Sequence, residues 1–395
     1  MQSQRLPGLE LAPAPIDPSE RIDAIDALRG LTLFGVLAIN ITMVFRVSIF
    51  EQFLPPAATT SALDRTVLAF LMAAVEMKAF ALFSLLFGVG LAIQFERLAP
   101  NPRRAILLSR RLAVLLTIGL IHLLLIWNGD ILTEYSLAGF IVLPLLWAPR
   151  WLLAAGAALF LAFYLAMPLL PPVIAWPTTA WLRDHVAAAR QVYGTGGYFD
   201  ILAFQIRELP AMLPLHVWVF PRTIALFLFG MWVWRTDIIR RPTAHDGLLL
   251  AIALIGIFAG GALNLAQQQL AWLGAGWFSL ERLAGVLLAI GYAAAALAAL
   301  NTRTGSKLLA WAAPLGRMAF TNYLLQSVIC SWIFFGYGLG LFGRIGVLAA
   351  LAIGIGIYVA QVVLSAQWLK YYRFGPVEWL WRSLMYGTGQ PLRRG

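Results

Sequence analysis

The chain has a single cysteine, Cys330, among 395 residues. That excludes an internal disulfide, and no CxxC pair or His/Cys cluster offers the spacing of a metal site. No metal is expected, and no permanently bound cofactor. Charged residues are scarce at 12% of the composition. The opening stretch Met1–Glu20 lacks a basic segment leading into an apolar core, so it reads as a disordered tail and not as a cleaved signal. The net charge is +11, yet the basic residues fall between apolar runs, as in a membrane protein, and nothing points to nucleic acid.

What the chain has in quantity is hydrophobicity, 61% of its residues. A bilayer span needs about 20 mostly apolar residues to cross roughly 30 Å of hydrocarbon. About ten segments qualify: Leu28–Phe45, Phe80–Phe95, Ile106–Trp127, Ile131–Trp147, Trp151–Leu170, Val217–Trp234, Gly247–Ala266, Leu280–Leu300, Met318–Phe335 and Gly346–Ala366. Backbone polar groups in lipid must be satisfied within the span, so these are helices. The expected fold is all-α: a polytopic membrane bundle over residues 21–366, preceded by the tail 1–20 and followed by an interfacial tail, 367–395. Thr66–Met77 and Gly375–Arg382 read as amphipathic interfacial segments, and Phe199–Leu209 as a short interfacial helix within a long loop, Pro171–Leu215.

Orientation follows from arginine and lysine. Arg97, Arg103, Arg104, Arg110 and Arg111 lie between spans two and three or in the first turns of span three. Arg235, Arg240 and Arg241 follow span six, Arg303, Lys307 and Arg317 follow span eight, and the C-terminal tail is also basic. With alternating spans all fall on one side, which places both termini in the cytosol.

Polar residues inside spans mark function or helix contacts. Asp26 and Arg29 are three residues apart at the start of span one, and Asn40 follows Arg29 by eleven, three turns on and nearly the same face. His122, in span three, is followed by Asp130, Glu134 and Tyr135 across a short turn at Asn128-Gly129. A carboxylate that orients an imidazole makes a general base for an acceptor hydroxyl. A buried, hydrogen-bonded histidine is the plainer alternative. Glu76, Lys78, Arg222, Glu281 and Arg282 suit interhelical ion pairs. Asn322 and Gln326, one turn apart in span nine, suit either a substrate cavity or helix–helix glue.

Four motifs carry a resemblance. R-x4-D-x-L-R-G at Arg21–Gly30, G-x-x-H at Gly119–His122 with N-G-D-I-L at Asn128–Leu132, G-R-M-A-x-T-N-Y-L-L-Q-S at Gly316–Ser327 and G-P-x-E-W-L-W-R at Gly375–Arg382 resemble the YeiB-like family of bacterial inner-membrane proteins. That family is similar in turn to the transmembrane acyltransferase superfamily, which includes heparan-α-glucosaminide N-acetyltransferase and the acyltransferase-3 enzymes. The resemblance implies transfer of an acyl group from a cytosolic acyl-CoA donor to a lipid or sugar acceptor in or across the membrane. The donor phosphates would sit on Arg29, Arg104, Arg110 and Arg111, with Arg317, Tyr135, Asn322 and Gln326 lining the cavity. The superfamily's histidine pattern is not followed: residue 40 is Asn, and the ungapped place of the second histidine is Glu51. Either His122 or Glu51 then supplies the base, or the activity is not acyl transfer. A small-molecule transporter and a non-catalytic lipid-binding protein stay open, although no internal repeat of the transporter kind is visible. A homodimer is one assembly the sequence allows.

Overall fold

The computed structural model describes residues 23–55, 61–172, 174–266 and 275–394. The expected N-terminal tail, and Arg21 of the first motif, lie outside the described residues. The described chain is helical: α1 (Asp23–Ile39), α2 (Ala62–Ala74), α3 (Lys78–Arg97), α4 (Arg104–Leu125), α5 (Leu132–Val142), α6 (Arg150–Ala166), α7 (Thr179–Thr195), α8 (Tyr198–Arg235), α9 (Asp246–Leu265), α10 (Ala275–Leu300), α11 (Arg303–Leu309), α12 (Ala313–Arg317), α13 (Ala319–Phe334), α14 (Val347–Tyr371) and α15 (Pro376–Tyr386). Among the described residues the β-type pairing is an isolated bridge between Tyr372 and Arg393. Eight helical segments are long and apolar enough to span a bilayer, and two shorter apolar ones, Leu132–Trp147 and Ala319–Phe334, complete the ten that hydropathy predicts. The first of these is shortened because α5 tightens into a 3-10 turn, Leu143–Trp147, at a proline.

One segment differs from expectation. Phe199–Leu209 is not a separate interfacial helix. It is the start of α8, which runs unbroken for 38 residues with Pro210, Pro214 and Pro221 inside it. At 1.5 Å per residue such a helix is about 57 Å long, far more than the hydrocarbon thickness, so its first part rises out of the bundle. There it joins α7 in a cap whose small core is Phe50, Leu182, Val186 and Met212. The prolines remove helical hydrogen bonds, and no break in sequence composition announces that the helix tolerates them.

Two apolar clusters meet inside the bundle. One is built on α3, α5, α6, α8, α9 and α10, around Val89, Phe227 and Met231. The other gathers α1, α4, α7, α13 and α14 around Leu33, Leu115, Tyr323 and Phe334. Within the first, α3 and α8 touch backbone to backbone. A Cβ on Gly88 would lie 2.2 Å from the Phe227 carbonyl oxygen, and one on Gly230 would lie 2.3 Å from that of Leu85. Lipid gives helices no hydrophobic reason to associate, so small residues that allow such approach supply the packing energy. The seam between the clusters runs along the start of α5.

Candidate functional site

The buried face of α4 carries Leu108, Leu112, Leu115, Gly119 and His122, a spacing of three and four residues that forms one stripe. Gly119 lets α5 come close, since a Cβ there would meet the Thr133 nitrogen at 2.7 Å. The turn between the helices delivers Asp130. Its Oδ2 accepts a hydrogen bond from the Thr133 backbone N–H at 2.7 Å, in the manner of a helix cap. Its Oδ1 lies 2.8 Å from His122 Nδ1. The pair is sealed from solvent, with side-chain exposures of 1% and 0%. A carboxylate can only accept from Nδ1–H, which assigns the tautomer and leaves Nε2 as the basic nitrogen. That Nε2 is buried and has no hydrogen-bond partner among the described residues.

Two cavities approach this pair from opposite ends. The first, about 470 Å³, is lined by Arg29, Arg97, Arg111, Arg240, Arg317, Arg373 and Arg382, against the carboxylates of Asp26, Glu96 and Glu378. Its inner wall is Leu115, Leu132, Tyr135 and Tyr323. The second, about 1310 Å³, has mostly apolar walls and takes in Asn40, Asp130, Glu134, His216 and Arg222. Tyr323, a wall of the first cavity, packs its ring 5.4 Å from that of His122. Asp130, a wall of the second, holds the other side of the imidazole. His122 itself lines neither cavity and is packed between Tyr323, a wall of one, and Asp130, a wall of the other. Among the described residues Tyr135 alone lines both cavities. Its hydroxyl donates to the Phe80 carbonyl at 3.0 Å and lies 2.7 Å from Ser84 Oγ. Its ring is packed by Phe83, Phe87 and Phe227, so this side chain is held firmly where the two cavities approach each other.

The remaining residues singled out in the sequence divide. Asn40 opens a π-helical turn, Asn40–Phe45, at the end of α1, and shares the larger cavity with Asp130 and Glu134. Glu134 accepts from the Thr223 hydroxyl at 2.6 Å and lies 3.3 Å from His216 Nδ1. Arg29 bonds Asp26 at 3.3 Å, Arg317 bonds Asp23 at 2.5 Å, and both line the basic cavity. Arg111 stacks 3.8 Å over the Trp381 ring there. Arg104 and Arg110 do not join them. Two helical turns out from Arg111, Arg104 covers the Phe95 ring at 3.0 Å. One residue round the helix, Arg110 donates to the Leu384 carbonyl. Glu51 pairs with Arg190 at 3.1 Å and lines neither cavity.

Asn322 and Gln326 likewise line neither of these two cavities. Asn322 donates to Ser365 Oγ at 2.9 Å, Gln326 to Gln361 Oε1 at 2.8 Å, and Gln361 returns a bond to the Asn322 carbonyl. Two polar stripes with the same one-turn spacing have met across α13 and α14. Nor do the in-span charges form the interhelical ion pairs expected of them. Lys78 donates to the Met72 carbonyl, Arg222 to that of Met77 and Arg282 to that of Tyr164. Among the described residues, no salt bridge joins Glu76, Lys78, Arg222, Glu281 or Arg282 to a partner.

A second carboxylate–histidine cluster escaped the sequence reading. Glu208 of α8, 3% exposed, accepts from Asn128 Nδ2 and from the Tyr193 hydroxyl, and bonds His185 Nε2, each at 2.6 Å. Burial pushes the Tyr193 phenol well above its ordinary range, so it remains a donor. His185 is stacked between Trp181 and Phe204. Asn128 is two residues from Asp130, so this cluster ties the cap to the turn that aims Asp130 at His122.

These features define a polytopic helical membrane protein with a buried carboxylate–histidine pair between two cavities. Residues 233–388 match the family described as "Protein of unknown function (DUF418)". The chain is 33% identical to the uncharacterized protein YeiB of Escherichia coli (strain K12) over 94% of its own length and 98% of that protein. It is 32% identical to the uncharacterized protein YxaH of Bacillus subtilis (strain 168), over 96% and 98% respectively. The chain belongs to the YeiB-like family.

Proposed function

We propose that the protein is an acyltransferase that takes an acyl group from a cytosolic acyl-CoA donor and passes it to an acceptor held at the opposite end of the bundle. The observation that supports this best is the His122–Asp130 pair, with an unpartnered Nε2, set between an arginine-lined cavity and a larger, mostly apolar one. The acceptor hydroxyl or amine loses its proton to Nε2 as it attacks the thioester carbonyl. The C–S bond then breaks, and the leaving thiolate takes that proton back. Arg29, Arg111 and Arg317 suit the donor phosphates, because a guanidinium fork binds them bidentately. Arg111 and His122 are eleven residues apart on one helix, about 16 Å of rise, so the donor needs a long thin arm between phosphate and thioester.

Binding of coenzyme A to the purified protein tests this directly. Titration calorimetry should show binding that weakens about tenfold or more in an Arg111→Gln, Arg317→Gln variant, the scale of a lost charge-assisted bond. Absence of binding would remove the donor and leave transport as the better reading. One observation favours transport specifically: two cavities that share Tyr135 as a wall residue have the layout of a gated path. Substrate flux in proteoliposomes without release of coenzyme A would decide for it.

The reading requires the arginine-lined end to face the cytosol across a bacterial inner membrane. Cys330 is fully buried, so engineered cysteines report cleanly. Cysteines replacing Arg103 and Gly389, both exposed, should be protected from impermeant maleimide added to whole cells, and one replacing exposed Arg183 should be labelled. Labelling of either of the first two from outside would refute the orientation.

A further inference from the structure

The larger cavity holds a group of charges of both signs, Lys78 near Glu76 and Glu281 and Arg282 near Glu281, without a direct ion pair among the described residues. Glu76, Lys78, Arg222, Glu281 and Arg282 all line it, among walls that are mostly apolar. None is in a salt bridge among the described residues. Arg222 is 4% exposed, and its Nε is buried without a hydrogen-bond partner. Its only described bond is a long one, 3.4 Å, to the carbonyl of Met77. Met77 itself adopts a φ of 59°, the left-handed region that costs a non-glycine residue energy and recurs at ligand sites. Arg282 lies over the rings of Tyr164 and Trp218, at 4.7 and 4.4 Å. Lys78 and Arg222 are buried, Glu76 and Arg282 are half-buried and Glu281 is exposed; a buried charge in a membrane bundle is expensive unless something pairs with it.

We infer that this cavity binds a zwitterionic aminophospholipid, its phosphate on Arg222 and Arg282 and its ammonium on Glu76 and Glu281. Opposite charges brought to one cavity by the start of α3 and the turn before it, by α8 and by α10 match a head group that carries both signs, better than a purely anionic or purely cationic one. The apolar walls match the hydrocarbon part. Met72 and Phe278 line the cavity while being 41% and 51% exposed on the flank of the bundle, which gives a lipid a lateral way in from the bilayer. Asp130 and Glu134 belong to the same cavity, so a lipid seated there is an acceptor candidate. In that respect the inference rests on the acyl-transfer reading. Binding alone does not need it.

The test is lipid retention without any donor. Delipidated protein is incubated with phosphatidylethanolamine, phosphatidylglycerol or soluble phosphoethanolamine, and bound lipid is counted by native mass spectrometry. Phosphatidylethanolamine should be retained about tenfold more strongly than phosphatidylglycerol, and phosphoethanolamine should not be retained. Arg222→Gln should lower retention of both lipids, whereas Glu281→Gln should erase the preference between them. The second is a ratio measured on folded protein and is insensitive to a loss of yield. Arg183→Gln, on the exposed cap, should change nothing. Equal retention of the two lipids by the wild type, an unchanged preference in Glu281→Gln, or equal binding of the soluble head group would each overturn the assignment. Loss of lipid binding with coenzyme A binding intact removes this inference alone, and the reverse result removes the transfer reading alone.

Discussion

Replacing His122 with alanine should lower the rate of acyl transfer by about 10²–10⁴-fold, the usual contribution of a positioned general base, while the protein still inserts and binds coenzyme A. His122 occupies the only place in the described structure where a buried imidazole nitrogen has no partner while its other nitrogen is fixed by a carboxylate. A packing histidine would have both nitrogens satisfied, because an unmade hydrogen bond in the interior costs about 1–3 kcal/mol. Alanine also leaves Asp130 buried without its main partner, so His122→Gln serves as a second variant. It keeps a donor for Asp130 and removes the base. Both should be inactive with near-normal donor affinity, and a variant that transfers at the wild-type rate would end the role assigned to His122. Glu51→Gln is the comparison. Glu51 spends its charge on Arg190, whose side chain is 53% exposed, and exposed pairs contribute little, so its loss should leave the rate nearly unchanged.

The bundle was legible because length and hydropathy are local properties. A run of twenty apolar residues reads as a span whatever it packs against, and all ten segments were found by that measure. What a polar residue does inside a span depends on the neighbouring helix, which sequence does not show. Asn322 and Gln326 have the spacing of a cavity wall and of helix glue alike, and only the matching stripe of Gln361 and Ser365 on α14 decides for glue. Arg104, Arg110 and Arg111 look equivalent in the sequence. A rotation of about 100° turns Arg110 from the cavity to a tail carbonyl, and two turns of rise along the same face carry Arg104 past the cavity to the Phe95 ring. His122 and Asp130 were legible together because a short turn keeps them close along the chain. Glu208 was not, because its partners lie on two other segments, Asn128 in the turn between α4 and α5 and His185 and Tyr193 on α7.

That hidden carboxylate has the largest expected effect on stability. Replacing Glu208 with alanine should destabilise the protein by about 3–5 kcal/mol, the range for removing one partner from a buried charged pair. The reason lies less in the lost bonds than in what is left behind. Asn128, His185 and Tyr193 would each keep a buried donor with nothing to receive it, in a pocket enclosed by Trp181 and Phe204. Glu208→Gln retains one accepting oxygen but brings an NH₂ group among donors, so it should recover only part of the loss. The effect should also reach the site. Asn128 anchors the turn that presents Asp130, and once that turn is freed, variants that still fold should transfer more slowly at unchanged donor affinity. Thermal unfolding in detergent measures the first consequence, and rates with saturating donor measure the second. Arg207→Gln, one residue away but exposed, should stay within about 0.5 kcal/mol of the wild type. If Glu208→Ala unfolds at the same temperature as Arg207→Gln, the cluster does not hold the cap to the bundle, and the positioning of Asp130 must come from Thr133 alone.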